Sequence, residues 1–103
     1  MTERHFLLVV YDISNDRRRT KLHQTLLDYG TPVQYSVFEC WVNEKEENRL
    51  KRAVKRVIRP RQQDHVRYYH LCATCVDKIE VLGQHDVTGP LPAALVVGDA
   101  DGG

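Results

Sequence analysis

Asp12 closes an apolar run and stands five residues ahead of the first of three consecutive arginines, in the stretch VVYDISNDRRR of residues 9 to 19. Ligands of open α/β sheets gather at the carboxyl ends of strands. A carboxylate there can hold Mg²⁺, which often takes only one or two protein carboxylates and completes its shell with water and phosphate oxygens. Arg17, Arg18 and Arg19 fall in the first turn of an expected helix, where each exposed cation opposes the dipole by about 0.3–1 kcal/mol. Helix stability alone does not ask for three of them, whereas a phosphate does. The competing readings are structural: Asp12 as a turn or capping residue, and the arginines lying over neighbouring apolar surface. One carboxylate is thin for catalysis, but a two-fold dimer would bring a second Asp12 to the same place.

Further bases follow. Lys21 returns near Arg17 on the helical wheel. Lys45, Arg49, Arg52 and Arg56 recur at i, i+4, i+7 and i+11, forming one stripe on a second expected helix. Such a stripe can track a duplex backbone, although bases late in a helix also suit its dipole. Cys72-Ala73-Thr74-Cys75, with His70 just before it, invites a zinc or redox reading. Structural zinc wants four ligands, and Cys40, His65 and His85 are irregularly spaced. A redox pair belongs at a helix start, whereas strand-like residues follow here, so the segment reads as a turn between two strands. HExxH, G-x-S-x-G, Walker and G-x-G-x-x-G patterns are all missing. Ser36 reads as a packing or hydrogen-bonding residue beside Phe38 rather than a nucleophile.

The elements that must position these residues can be read from periodicity and punctuation. Phe6 to Tyr11 is a continuous apolar strand. Asp12 to Asp16 has turn and N-cap chemistry, and a helix should run from Asp16 to Tyr29, with Leu22, Leu26 and Tyr29 inward and Gly30 as its C′ residue. Gln34 to Val42 is strand-like, either as one strand bent near Ser36 or as two short ones. Asn43 with Glu46 is a capping-box variant opening a helix whose core stripe is Leu50, Val54, Val57 and Ile58 and whose end is marked by Pro60. Val66–Leu71 and Ile79–Leu82 are expected strands. Gly83 to Pro92 reads as loop, Ala94–Val97 as a short last strand, and the GDADGG end as disordered.

The chain of 103 residues is long enough for one core. Residues 1–82 are read as that domain and 83–103 as a tail. Helices alternating with strands over this length imply an α+β fold, most economically a ferredoxin-like sandwich with two helices on one face of an antiparallel sheet. Phe38, Trp41, Tyr68 and Tyr69 cannot all lie under two helices, so the second face should pair with another copy. No apolar run reaches the roughly 20 residues of a membrane span. The charged start MTERHF is no signal peptide, and three cysteines fit reduced thiols, so the expected location is the cytoplasm. The formal net charge of +1 conceals a segregation: residues 16–61 hold 12 Lys/Arg against 6 Asp/Glu. A local basic surface of this kind suits a polyanion.

VVYDISNDRRRTKL, the YG after the first helix and VQYSVFECWVNEKE together resemble the CRISPR-associated protein two family, over roughly residues 5 to 82. The resemblance implies a ferredoxin-like homodimer of the spacer-adaptation module, often with its last strand crossing to the partner. It implies partnership with the CRISPR integrase and contact with DNA or RNA. Two activities come with it. One is a metal-dependent endonuclease, using Mg²⁺ or Mn²⁺ at Asp12 with Tyr11 as its neighbour; the other is a non-catalytic bridge holding duplex DNA between integrase dimers. Arg17, Arg18 and Arg19 match the family's basic helix start, and Ser36 and Phe38 its second, sheet-and-dimer motif. CATC has no counterpart in that pattern.

Overall fold

The computed structural model describes residues 3–83. Strand β1 (His5–Asp12) leads into helix α1 (Asp16–Leu26), then strands β2 (Gly30–Gln34) and β3 (Val37–Val42). Helix α2 (Glu44–Val57), a 3₁₀ turn (Pro60–Gln62), strand β4 (His65–Leu71) and a short helix α3 (Ala73–Asp77) complete the described chain. The sheet order is β2-β3-β1-β4 with every pair antiparallel. With α1 and α2 packed together over one face, this is the ferredoxin-like α+β sandwich. No helix among the described residues is long and apolar enough to cross a membrane.

Alternation along the strands divides the apolar residues between the two faces. Leu7, Val9 and Tyr11 of β1 and Phe38, Cys40 and Val42 of β3 point toward the helices and are buried. Leu22 and Leu26 of α1 and Leu50, Val54 and Val57 of α2 close on them from above. Each fully buried aliphatic side chain contributes about 1.5–3 kcal/mol. Tyr68 packs on the same core, whereas Trp41 and Tyr69 belong to the opposite face. There Phe6 meets Trp41 edge-on at 5.4 Å.

Both helix starts are built as their residues suggest. The Asn15 side chain accepts from the Arg18 backbone N–H at 2.9 Å. The Asn43 side chain accepts from the Glu46 N–H at 2.7 Å while the Glu46 carboxylate accepts from the Asn43 N–H at 2.9 Å, a full capping box.

Several boundaries differ from the sequence reading. Helix α1 stops at Leu26, and Gly30 is the first residue of β2 rather than a helix cap. Its missing side chain serves a close approach: a Cβ there would lie 2.4 Å from Cys40 Sγ and 2.5 Å from the Glu39 carbonyl oxygen. Pro32 is accommodated in β2 because this is an edge strand, with an irregularity between Pro32 and Gln34. Of the two alternatives for Gln34–Val42 the two-strand one holds in part: Gln34 ends β2, a turn follows in which Ser36 has a left-handed φ of 68°, and β3 begins at Val37. Ile79–Leu82 forms no strand. The Cys72-to-Cys75 segment, read as a turn between strands, instead opens α3 with Cys72 as its N-cap. Ile79, Val81 and Leu82 then line a groove of about 350 Å³ with Leu8 and Val37 of the open sheet face. The strand expected at Ala94–Val97 and the disordered end lie outside the described residues.

We expect Gly30→Ala to cost about 2 kcal/mol in urea unfolding, because the Glu39 and Cys40 backbone stands in the way as well as the Cys40 thiol. An unchanged midpoint would show that β2 can shift away from Cys40.

Candidate nucleic-acid interface

Asp12 ends β1, exposed, opposite His65 of β4. Its neighbour Tyr11 is turned inward and is 5% exposed. Burial, with the Tyr35 phenol nearby, raises the Tyr11 pKa against the opposing effect of Arg19. Tyr11 is therefore a neutral phenol near neutral pH and not a base. It lines a cavity of about 290 Å³ together with Arg19, His23, Gln34, Tyr35 and Ser36. The turn that shapes this cavity is anchored by the Tyr11 N–H donating to the Ser36 carbonyl at 3.1 Å. Phe38, fully buried, belongs to the helix-side core of a single chain; Trp41 and Tyr69 are the aromatics of the open face.

The three arginines at the start of α1 have different fates. Arg18 Nε donates to Asp64 Oδ2 at 2.8 Å and its Nη2 to Oδ1 at 3.2 Å, a two-point pair. The Asp64 side chain is wholly buried and also accepts from the Arg59 N–H at 2.7 Å. The Arg18 hydrogen bond, with the Arg59 backbone donor and both charges, lowers the Asp64 pKa against burial. Arg19 donates to the Ile13 carbonyl at 2.9 Å and pairs with Asp16, closing the β1–α1 loop on itself. Arg17 is exposed and makes no ion pair among the described residues. Lys21 is exposed one turn on.

Helix α2 carries its bases differently. Lys45, Arg49, Arg52 and Arg56 all face solvent, on the side away from Leu50, Val54 and Val57. Two of the three carboxylates of the first turn are engaged, and Glu44 is exposed. Glu46 caps the helix and accepts from Arg4, while Glu47 turns inward. The result is a stripe of long cations on one exposed helix face, the arrangement that grips a phosphate backbone without reading sequence.

Known proteins share this fold. The family model described as CRISPR associated protein Cas2 matches residues 5–79. The chain belongs to the Cas2 family. The CRISPR-associated endoribonuclease Cas2 1 of Chloroflexus aurantiacus is 40% identical over 87 residues, covering 84% of this chain and 89% of that one. The crystal structure of Streptococcus pyogenes Cas2 superposes with a TM-score of 0.67 at 31% identity, covering 76% of this chain and 99% of that one. A chain of a partial Cas6-RT-Cas1–Cas2 complex gives a TM-score of 0.64 at 25% identity, covering 80% of this chain and 91% of that one. The Cas2 match spans every element from β1 to α3, so the Asp12 junction and the α2 stripe both lie inside the family domain.

Several features escape a reading of the sequence. Asp64 looks like a loop carboxylate, and only the fold carries it under Arg18, 46 residues away. Tyr35, 82% exposed at the hairpin tip beside the cavity, offers a ring on which a base can stack. Its one signal in the sequence is an aromatic beside a turn residue. The Glu47 carboxylate accepts from His5 at 2.7 Å, His70 at 2.8 Å and Lys51 at 2.7 Å. Burial raises the Glu47 pKa, but these hydrogen bonds outweigh it and hold the carboxyl at about 2.

Arg18→Ala strands a buried carboxylate, and we expect a loss of about 3 kcal/mol in denaturant unfolding. Arg17→Ala should stay within about 0.5 kcal/mol of the parent. The lowered Asp64 pKa also has a sign. Its stabilisation is complete above the unfolded value near ~3.9 and disappears as pH falls through the lower folded value. Acid titration of unfolding in that window should show a shallower pH dependence for Asp64→Asn than for the parent.

Proposed function

We propose that this chain is a nucleic-acid-binding subunit of CRISPR spacer adaptation, acting as a homodimer beside the integrase. The observation that carries this reading is the exposed Lys45/Arg49/Arg52/Arg56 stripe of α2, joined by Arg17 and Lys21. These cations are free to neutralise phosphates and release counterions. Arg18 and Arg19 act one step back, holding the β1–α1 junction in shape. What supports an integrase partner is the likeness to a chain of a Cas1–Cas2 complex. The homodimer is supported by the open sheet face, where Tyr69 and Val81 are each 43% exposed and Leu82 is 99% exposed.

A second reading, phosphodiester cleavage, is favoured by the position of Asp12 and by the endoribonuclease name of the Chloroflexus relative. The donor set fits a hard cation: an exposed carboxylate at a strand end, with room for water and phosphate oxygens. Asp12 from each protomer would hold Mg²⁺ or Mn²⁺, and the chemistry such an ion supplies is polarisation of the phosphate and acidification of a bound water. Among the described residues Asp12 belongs to no group of three or more metal-ligating side chains, so the cleavage reading draws its second carboxylate from the partner protomer. Tyr11, buried and neutral, would wall the site and keep the strand end in place rather than take a proton.

The two readings separate cleanly in one pair of variants. Asp12→Asn should abolish Mg²⁺-dependent cleavage of RNA and DNA and leave duplex affinity within about twofold. Reversing Arg49, Arg52 and Arg56 to glutamate should weaken duplex binding by at least tenfold at physiological salt. Retained cleavage in Asp12→Asn would remove Asp12 from the chemistry. Undiminished binding in the charge-reversed variant would remove α2 from the interface.

A further inference from the structure

The strongest chemistry-bearing cluster outside the Asp12 junction lies at the other end of the sheet. His5 opens β1 and Asp12 closes it, so the two are separated by roughly 23 Å of extended chain. His70 lies near the end of β4 and pairs across with Leu7, two residues from His5 and on the same, helix-facing side of the sheet. Above them the first turn of α2 lowers Glu47, 7% exposed, onto both rings. The His5 Nε2 meets Glu47 Oε1 at 2.7 Å, and the His70 Nε2 meets Glu47 Oε2 at 2.8 Å. The two imidazoles lie 5.3 Å apart, centroid to centroid.

We propose that His5, Glu47 and His70 form a binding site for a borderline divalent transition-metal ion of the Zn²⁺ class. One ligand atom from each residue lies within 4.8 Å of the others, and this is the one such group of three among the described residues. Two imidazole nitrogens and one carboxylate oxygen are the three-ligand set that leaves a position for water on Zn²⁺. Ligands about 2.0–2.1 Å from a tetrahedral ion stand roughly 3.3 Å from one another. The hydrogen-bonded pairs must therefore open by about half an ångström and the two imidazoles close, which side-chain rotation can supply.

A plain hydrogen-bond network explains less of the arrangement. Lys51 alone, at 2.7 Å from Glu47 Oε2, already gives the carboxylate a charged partner. Two further imidazoles from two different strands converge on the same group, each by the same ring nitrogen. Their outer sides are open, with side-chain exposures of 36% for His5 and 53% for His70, which leaves an entry path and room for water. Lys51 need not be stranded when an ion enters, because its ammonium already lies 5.0 Å from the Tyr68 ring centroid. The donors favour Zn²⁺, Co²⁺ or Ni²⁺ over Mg²⁺, since imidazole suits the former and hard oxygen ligands the latter. The ion would join β1, α2 and β4 at a point remote from Asp12, and binding only the folded chain it would raise its stability.

The test is a titration of the full-length protein carrying Cys72→Ser and Cys75→Ser, which removes the exposed thiols as rival ligands. Zn²⁺ is the probe for thermal stability and Co²⁺ for visible absorption. The expected result is saturation at one ion per chain, a raised Tm with Zn²⁺ and none at equal Mg²⁺. His70→Ala and His5→Ala should each weaken binding at least tenfold, while Asp12→Asn leaves it unchanged. His70 is more than half exposed, so its removal is not expected to prevent folding. Absence of saturable binding, an equal response to Mg²⁺, or affinity that survives both histidine variants would overturn the site.

Discussion

A buried carboxylate cannot stand alone, and Asp64 shows what that requirement does to a basic helix start. Its side chain has no access to water, so it must be met by cations and N–H donors or be protonated. Arg18 meets it with two parallel hydrogen bonds and the Arg59 backbone adds a third. That one demand ties the first turn of α1 to the segment between α2 and β4. It also withdraws Arg18 from any ligand, and Arg19 is withdrawn similarly by the loop carbonyls and Asp16. The unfavourable charge at this helix start is thereby explained in two different ways along three residues. Two arginines hold the junction together, and one faces outward.

The rest of the basic surface follows from a division of labour on α2. Of its first-turn acids, Glu46 is occupied by the capping box and Glu47 by the inward cluster, while Glu44 stays exposed. What remains outside is a face rich in exposed cations. The ferredoxin-like sandwich places this face and the Asp12 strand end on a frame with one buried core, and Tyr69 stays exposed on the far sheet face.

Much of this is legible in the residues, and the exceptions have physical causes. The first strand, both helix starts, the core stripe of α2 and the family can all be read from apolar periodicity, capping chemistry and a composite motif. A glycine after a helix usually marks a left-handed cap, whereas Gly30 makes room for Cys40. An apolar, β-prone run such as Ile79–Leu82 looks the same in sequence whether it pairs or lies on a sheet face. The residues after CATC look extended, which hides the short helix that Cys72 caps. The Asp64 pair and the histidine partners of Glu47 cannot be found by spacing, unlike the i,i+4 Glu47–Lys51 pair. Arg18 and His5 are 46 and 42 residues from Asp64 and Glu47 and meet them only through strand pairing and the crossing of α2.

The account rests on the claim that the exposed cations of α2, and not the buried Arg18, grip the phosphate backbone. The slope of log affinity for duplex DNA against log salt measures this directly, changing by about 0.9 for each phosphate that the protein neutralises. Replacing Arg49, Arg52 and Arg56 with alanine one at a time should flatten the slope by about that step for each residue that meets a phosphate. Slopes that stay at the parent value through all three substitutions would contradict it.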